Sequence, residues 1–379
     1  MSGERRIEED GGGAEVTDER RIREAREGAR MNASAVLLEE VREQPAAWRR
    51  LLEHEPEIAE LGGRLGAVEP PLVRMVAHGT SDHAAAYASY ALRLLCGWTA
   101  VRESMSLALY YDVPAARAGE VAVGLSQSGS TPDVVAWLRA AAGSGATTVA
   151  VTNAGASELA AAADAVLDIA AGEERSIAAT KTYTCTLAAL ALLGAHVAGR
   201  GAEMAAALRA TAALAEAALP GLERAVAPVA EAYAGVQRMY VIARGIELAT
   251  AAEVALKLTE VAYLGARALT ATSMAHGPVA ALDAAFPVWA VAADDASLRA
   301  VAEAVERARA AGAPVIASGP AAGALEGAAH ALVVPAAPEP LLSPLLSVLP
   351  GQLFARALAQ AKGLDPGAPR HLRKVTTAA

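Results

Sequence analysis

Ser126-Gln127-Ser128-Gly129-Ser130-Thr131 is a run of small hydroxyl residues placed between two different patterns. Before it, Val121-Ala122-Val123-Gly124-Leu125 reads as a buried strand. After it, Pro132 to Arg139 reads as a helix with Thr131 as its cap and Pro132 in its first turn. Strand, hydroxyl loop and helix N-terminus together suit a phosphate monoester. Free N–H groups at the helix start face the anion, and short Ser and Thr side chains add donors. The run holds no Lys, so it is not a Walker loop. An ordinary capped turn carries the same signature. Gly79-Thr80-Ser81 is a second strand-to-helix loop with hydroxyls. Loops at strand C-termini converge on one crevice in an open parallel sheet. Thr80, Ser81, Ser126, Ser128 and Thr131 are therefore expected to line one pocket.

Glu253, Lys257 and Glu260 follow one another at i, i+4 and i+7, which puts them on one helix face. Such a face is ordinarily a solvated salt-bridge ladder. Here the flanking residues are almost all apolar, which predicts a buried helix, and a buried Lys beside a carboxylate tunes that carboxylate for proton transfer. His276 stands before the sharp turn Gly277-Pro278. Lys374 follows a Pro- and Gly-containing lead-in over 365–370, so its amine is able to swing into a pocket and condense with a ketose.

These groups need a scaffold. The 379 residues suffice for two domains. The chain is 54% hydrophobic but only 4% aromatic, so its core is built from Ala, Val and Leu. A net charge of −9 argues against nucleic acid as a partner. Cys96 and Cys185 read as buried thiols of a reducing compartment, and no His/Cys cluster points to a metal. Thr182 to Gly199 carries no Asp, Glu, Lys or Arg, but it is Ala-rich and holds His196. It reads as a helix buried in protein, with no membrane span expected.

Strand-like runs at 72–77, 121–125, 148–152, 165–169, 239–243, 288–292, 314–317 and 331–334 alternate with helical stretches. That alternation predicts parallel sheets covered by helices. The chain also repeats itself: Arg74 to Gly79 resembles Arg238 to Gly245. The copies differ where chemistry would sit, since Ala292-Ala293-Asp294-Asp295 takes the place of the hydroxyl loop. One anion site per pair of domains follows. Residues 1–33 read as a disordered extension, with Met31 as an alternative start, and 34–62 as helices interrupted near Pro45. The first α/β domain is expected over 63–200, a helical linker over 201–225, the second domain over 226–363 and a catalytic tail over 364–379.

Taken together, these motifs resemble the sugar isomerase (SIS) family, and within it the isomerase half of glucosamine-6-phosphate synthase. The resemblance runs from about Met31 to Thr376. Glu43-Gln44-Pro45, the hydroxyl loop, Glu174 to Lys181, the Ala-Leu-Lys-Leu-x-Glu helix, His-Gly-Pro and the Pro-Arg-x-Leu-x-Lys tail all match in order. Ser130 replaces a Glu of the family loop and Ala179 a Ser. The resemblance implies two tandem SIS domains, each a flavodoxin-like α/β sandwich. It implies that Gly79, Thr80, Ser81, Ser126, Gln127, Ser128, Gly129, Ser130, Thr131, Ala178, Ala179 and Lys181 hold the sugar phosphate. Glu260 would move a proton between C1 and C2, with Glu253 and Lys257 in support. His276 would open the ring, usually from a neighbouring subunit, and Lys374 would contact or condense with the open-chain sugar.

Met1-Ser2 and the internal positions of Cys96 and Cys185 do not match a glutaminase nucleophile, so glutamine is not the expected nitrogen donor within this chain. The pattern is closer to SIS-type glucosamine-6-phosphate deaminases. The expected protein is a cytoplasmic homodimer with shared active sites and no cofactor. It would convert glucosamine 6-phosphate and water to fructose 6-phosphate and ammonia, reversibly. The alternatives are a glutamine-independent synthase-like enzyme, another sugar-phosphate isomerase, or a non-catalytic sensor of amino-sugar phosphates.

Overall fold

A computed structural model describes residues 34–372 and Lys374. The extension at 1–33 and the start at Met31 lie outside the described residues. The first half comprises α1 (34–51), α2 (Glu55–Gly66), β1 (Val73–Val76), α3 (Gly79–Cys96), β2 (Ala100–Arg102), α4 (Met105–Tyr110), β3 (Val121–Leu125), α5 (Pro132–Gly143), β4 (Thr147–Thr152), α6 (Glu158–Ala161), β5 (Ala165–Asp168) and α7 (Lys181–Val197). Helix α8 (Gly201–Ala232) leads to the second half and runs past the linker end expected at 225. There follow β6 (Arg238–Ala243), α9 (Leu248–Ala262), β7 (Gly265–Thr270), α10 (Ala271–Met274), β8 (Val288–Val291), α11 (Leu298–Ala310), β9 (Val315–Gly319), β10 (His330–Val333), α12 (Ser343–Ser347) and α13 (Leu349–Ala361).

Each half holds one five-stranded sheet, in the orders β2-β1-β3-β4-β5 and β7-β6-β8-β9-β10. Every pairing is parallel. The two orders are the same topology, so the repeat in the chain is a repeat of fold. All eight apolar runs form strands. The central ones are buried along their whole length, as β3 and β8 show, because helices cover both faces. Strands β2 and β7 do not stand out as apolar runs. Both are sheet edges; β2 has three residues and β7 is exposed or half-buried at all but one position.

One continuous apolar core joins the inner faces of both sheets through α2, α3, α7, α8, α9 and α13. Separate cores lie outside each sheet, under α5 and under α11. Every residue of α7 from Lys181 to Ala195 is buried, so this uncharged helix is a core element. Close helix packing depends on small residues. A Cβ at Gly351 of α13 would stand 2.3 Å from Val254 Cγ2 of α9.

The expected interruption at Pro45 does not occur; α1 continues through it. Pro45 cannot donate to the Val41 carbonyl, but Gln44 Nε2 donates there at 3.1 Å in its place. The break falls at Leu52–His54, a short 3-10 turn ahead of Pro56 in the first turn of α2.

Candidate active site

Two loops at strand ends and one long helix frame a cleft of about 420 Å³ between the halves. That volume suits a small metabolite. After β1, Gly79 turns at φ +53° and α3 begins, with Thr80 and Ser81 in its first turn. After β3 the hydroxyl loop follows. Ser126 and Thr131 share a hydrogen bond between their hydroxyls at 2.9 Å, closing the loop on itself. Thr131 occupies the cap position of α5, but its side chain makes no cap bond, because Ser126 holds it. Gly129 turns at φ +62°, and a Cβ there would lie 1.9 Å from Ser157 Oγ, so only glycine fits.

Helix α9 supplies the acid–base groups. Glu253 is fully buried, Lys257 is 2% exposed, and the Glu260 side chain is 23% exposed. Lys257 Nζ lies 2.6 Å from Glu260 Oε2 and 3.4 Å from Glu253 Oε1. It also donates to Thr80 Oγ1 at 3.3 Å, and Thr80 in turn donates to Glu253 Oε1 at 3.1 Å. Burial alone would raise the Glu253 carboxyl. The Lys257 ammonium, then His83 and the Thr80 hydroxyl, outweigh burial and hold it below its ordinary value. Burial by itself would likewise lower Lys257, but Glu253 and Glu260 reverse this and keep its ammonium charged.

The third wall is the segment 174–186. Glu174 has a fully buried side chain that gathers four donors. Its Oε1 accepts the N–H groups of Thr180 at 2.9 Å and Thr182 at 3.2 Å. Its Oε2 accepts the Thr182 hydroxyl at 2.7 Å and Lys374 Nζ at 3.0 Å. Lys374 also donates to the Ser176 carbonyl at 2.5 Å. The tail amine is therefore seated on the cleft wall by a carboxylate and a carbonyl.

Gly79, Thr80, Ser81, Ser126, Gln127, Ser128 and Thr131 border the cleft, and so do Ala179, Lys257, Glu260 and Lys374. Gly129 and Ser130 shape the loop without bordering the cleft, and Ser130 is exposed. Ala178 is buried behind it. Lys181, expected at the sugar phosphate, turns away: its Nζ pairs with Glu43 Oε2 of α1 at 2.7 Å. The Glu43-Gln44-Pro45 motif thus serves as a support. Glu43 holds Lys181, while Gln44 Oε1 accepts the Thr184 hydroxyl and its Nε2 donates to Gln352. His276 is exposed in the turn after α10 and does not border the cleft of its own chain.

Three features were not singled out from the sequence. Glu174 organises its wall; it stands within the segment matched to the family, but no local pattern marks its role. Thr182, Tyr183 and Thr186 border the cleft from α7, whose uncharged sequence signals only burial. The Tyr183 hydroxyl is buried without a partner among the described residues. His83, one turn beyond Thr80 on α3, joins Glu253, and the i, i+3 spacing from Thr80 is the signal that marks it. Among the described residues no group of His, Cys, Asp and Glu is suited to a metal ion.

Comparison with known proteins places this architecture. The SIS domain model matches residues 73–195 and 233–361. The glutamine–fructose-6-phosphate aminotransferases (isomerizing) of Gloeobacter violaceus and Thermus thermophilus are 34% and 36% identical over 356 and 360 residues, covering 90% of this chain. The chain spans only 58% of the length of these relatives. Among solved structures, the C-terminal domain of glucosamine-fructose-6-phosphate aminotransferase from Francisella tularensis superposes with a TM-score of 0.80 at 25% identity, over 88% of this chain and 98% of that one. A Silicibacter pomeroyi DSS-3 protein assigned as a phosphosugar isomerase gives 0.77 at 33% identity, over 87% and 99%. With both halves matched and the sheet order repeated, the chain belongs to the SIS (sugar isomerase) family and carries two SIS domains in tandem.

Proposed function

We propose that this protein interconverts an amino-aldose and a ketose phosphate, and that its net reaction is glucosamine 6-phosphate plus water to fructose 6-phosphate plus ammonia. The observation that carries this reading is the Glu260 carboxylate. It is half-buried, borders the same cleft as both hydroxyl loops, and sits 2.6 Å from a buried ammonium. The hydroxyls of Ser81, Ser126 and Ser128 and the backbone N–H of Thr80 at the start of α3 bind the phosphate. Glu260 takes the C2 proton of the open-chain sugar and returns it to C1. The electron pair from the C2–H bond moves through an enolamine, and with the net transfer of one amine proton to the C1 oxygen this leaves a C1 hydroxyl and a C2 imine. Water adds to that carbon and ammonia departs. Run backward, the same steps aminate fructose 6-phosphate with free ammonia. The favoured direction depends on the ammonia supply.

Ring opening needs its own acid and base. His276 lies outside the cleft of its chain, so this reading takes it from a neighbouring copy in a cytoplasmic homodimer. Lys374 touches the sugar from the wall; a Schiff base at its amine would require the contacts to Glu174 and Ser176 to open. The test is ammonia release from glucosamine 6-phosphate, with galactosamine 6-phosphate and N-acetylglucosamine 6-phosphate in parallel. Ammonia matched by fructose 6-phosphate supports the deaminase. Binding of all three without release from any favours a sensor.

A further inference from the structure

Thr80 and His83 belong to α3 of the first half, and Glu253 and Lys257 to α9 of the second. The four side chains meet where these helices pack together. His83 Nδ1 lies 2.8 Å from Glu253 Oε2. The other oxygen of Glu253 takes the Thr80 hydroxyl and faces Lys257 at 3.4 Å. The same ammonium is closer to Glu260, at 2.6 Å. Two carboxylates thus compete for one cation, and the more exposed of them holds it more tightly.

Burial alone would favour the opposite arrangement. A carboxylate with no access to water needs a partner more than one that is 23% exposed. Glu253 tolerates the longer contact because His83 and Thr80 already occupy its oxygens. The fold does not impose this. Aligning the two halves in sequence at Gly79 and Gly245 sets Ala249 opposite His83, Tyr87 opposite Glu253 and Ala91 opposite Lys257. The network is present on one side of the pseudo-repeat and absent from the other. His83 does not border the cleft, and its link to the site runs through Glu253.

We infer that His83 is a positioning residue for proton transfer: by bonding Glu253 it leaves the Lys257 ammonium on Glu260. This rests on Glu260 being the base. Without His83, the ammonium shifts toward Glu253. Glu260 then loses the ammonium that holds its carboxylate in place at 2.6 Å.

The test compares His83→Ala with His83→Gln, whose amide N–H is able to donate to the same oxygen. In His83→Ala, kcat on glucosamine 6-phosphate falls about 10- to 100-fold, the effect of one hydrogen bond to a charged group. KM stays within about twofold, because the phosphate loops are untouched. His83→Gln recovers most of the loss. Wild-type kcat in His83→Ala, or equal loss in both variants, would overturn the inference. Crystal structures of the wild type and His83→Ala decide the same point without substrate. Lys257 is expected nearer Glu253 than Glu260 in the variant, and an unchanged order of distances refutes the inference. Should the wild type turn over no hexosamine phosphate, the proposed function fails while the geometric comparison still decides the role of His83.

Discussion

Replacing Lys257 by Met strips the shared ammonium from Glu253 and Glu260. Glu253 is fully buried, so it bears most of the loss. Removing one partner of a buried ion pair costs about 3–5 kcal/mol. His83 and Thr80 still reach Glu253, so the lower end, about 3 kcal/mol, is expected. The pH dependence is more diagnostic. In the wild type the Glu253 carboxyl is held below its ordinary value. Its stabilising contribution is therefore fully present above the unfolded-state value of about 4.3, and is lost as pH falls through the folded value. Nothing is lost from Glu253 between pH 7.5 and 5.5. In Lys257→Met the largest influence, burial, meets weaker opposition and raises the carboxyl. A raised carboxyl takes up a proton on folding, so the deficit shrinks on acidification. Urea midpoints of both proteins at pH 7.5 and 5.5 measure this. Adding Glu253→Gln to Lys257→Met should recover much of the deficit at pH 7.5. Equal deficits at both pH values, or no recovery, would refute the electrostatic account of this helix.

Gly129→Ala combines a left-handed backbone with a Cβ 1.9 Å from Ser157 Oγ, the group that caps α6 through the Ala160 N–H. Thermal unfolding should show a loss of about 2–3 kcal/mol, and calorimetry weaker fructose 6-phosphate binding. Gln44→Leu leaves the Val41 carbonyl, the Thr184 hydroxyl and the Gln352 amide short of partners, at a cost of about 2–4 kcal/mol. Adding Pro45→Ala should recover part of that cost, since the substitution restores a backbone N–H that donates to the Val41 carbonyl; denaturant melts of the single and double variants check this. Glu174→Ala removes the carboxylate acceptor of Lys374 and leaves it only the Ser176 carbonyl, so trypsin should cut after Arg370 and Lys374 faster than in the wild type, with turnover falling in parallel.

The sequence carried the architecture where one pattern sufficed. Buried central strands announce themselves as apolar runs, and Glu253, Lys257 and Glu260 share a face by spacing alone. Edge strand β2 has only three residues, and β7 is exposed or half-buried at all but one position, so composition does not mark them. Passage of α1 through Pro45 depends on where the Gln44 side chain turns, which propensity does not contain. Lys181 matched the motif, yet it stands at the start of α7, where a nearby carboxylate of α1 decides its direction. Lys374 and Glu174 meet across 200 positions of chain, and His83 meets Glu253 across 170. Such contacts become readable only after the two halves are docked.

The central claim is that Glu260 carries the proton between C2 and C1. NMR of fructose 6-phosphate and glucosamine 6-phosphate incubated with the protein in deuterated water, with ammonia present, tests it directly. The wild type should place deuterium at C1 of the ketose or C2 of the amino sugar. Glu260→Gln should bind the same sugars and place none within the same time. Labelling by Glu260→Gln at the wild-type rate would contradict the account and move the base elsewhere in the cleft.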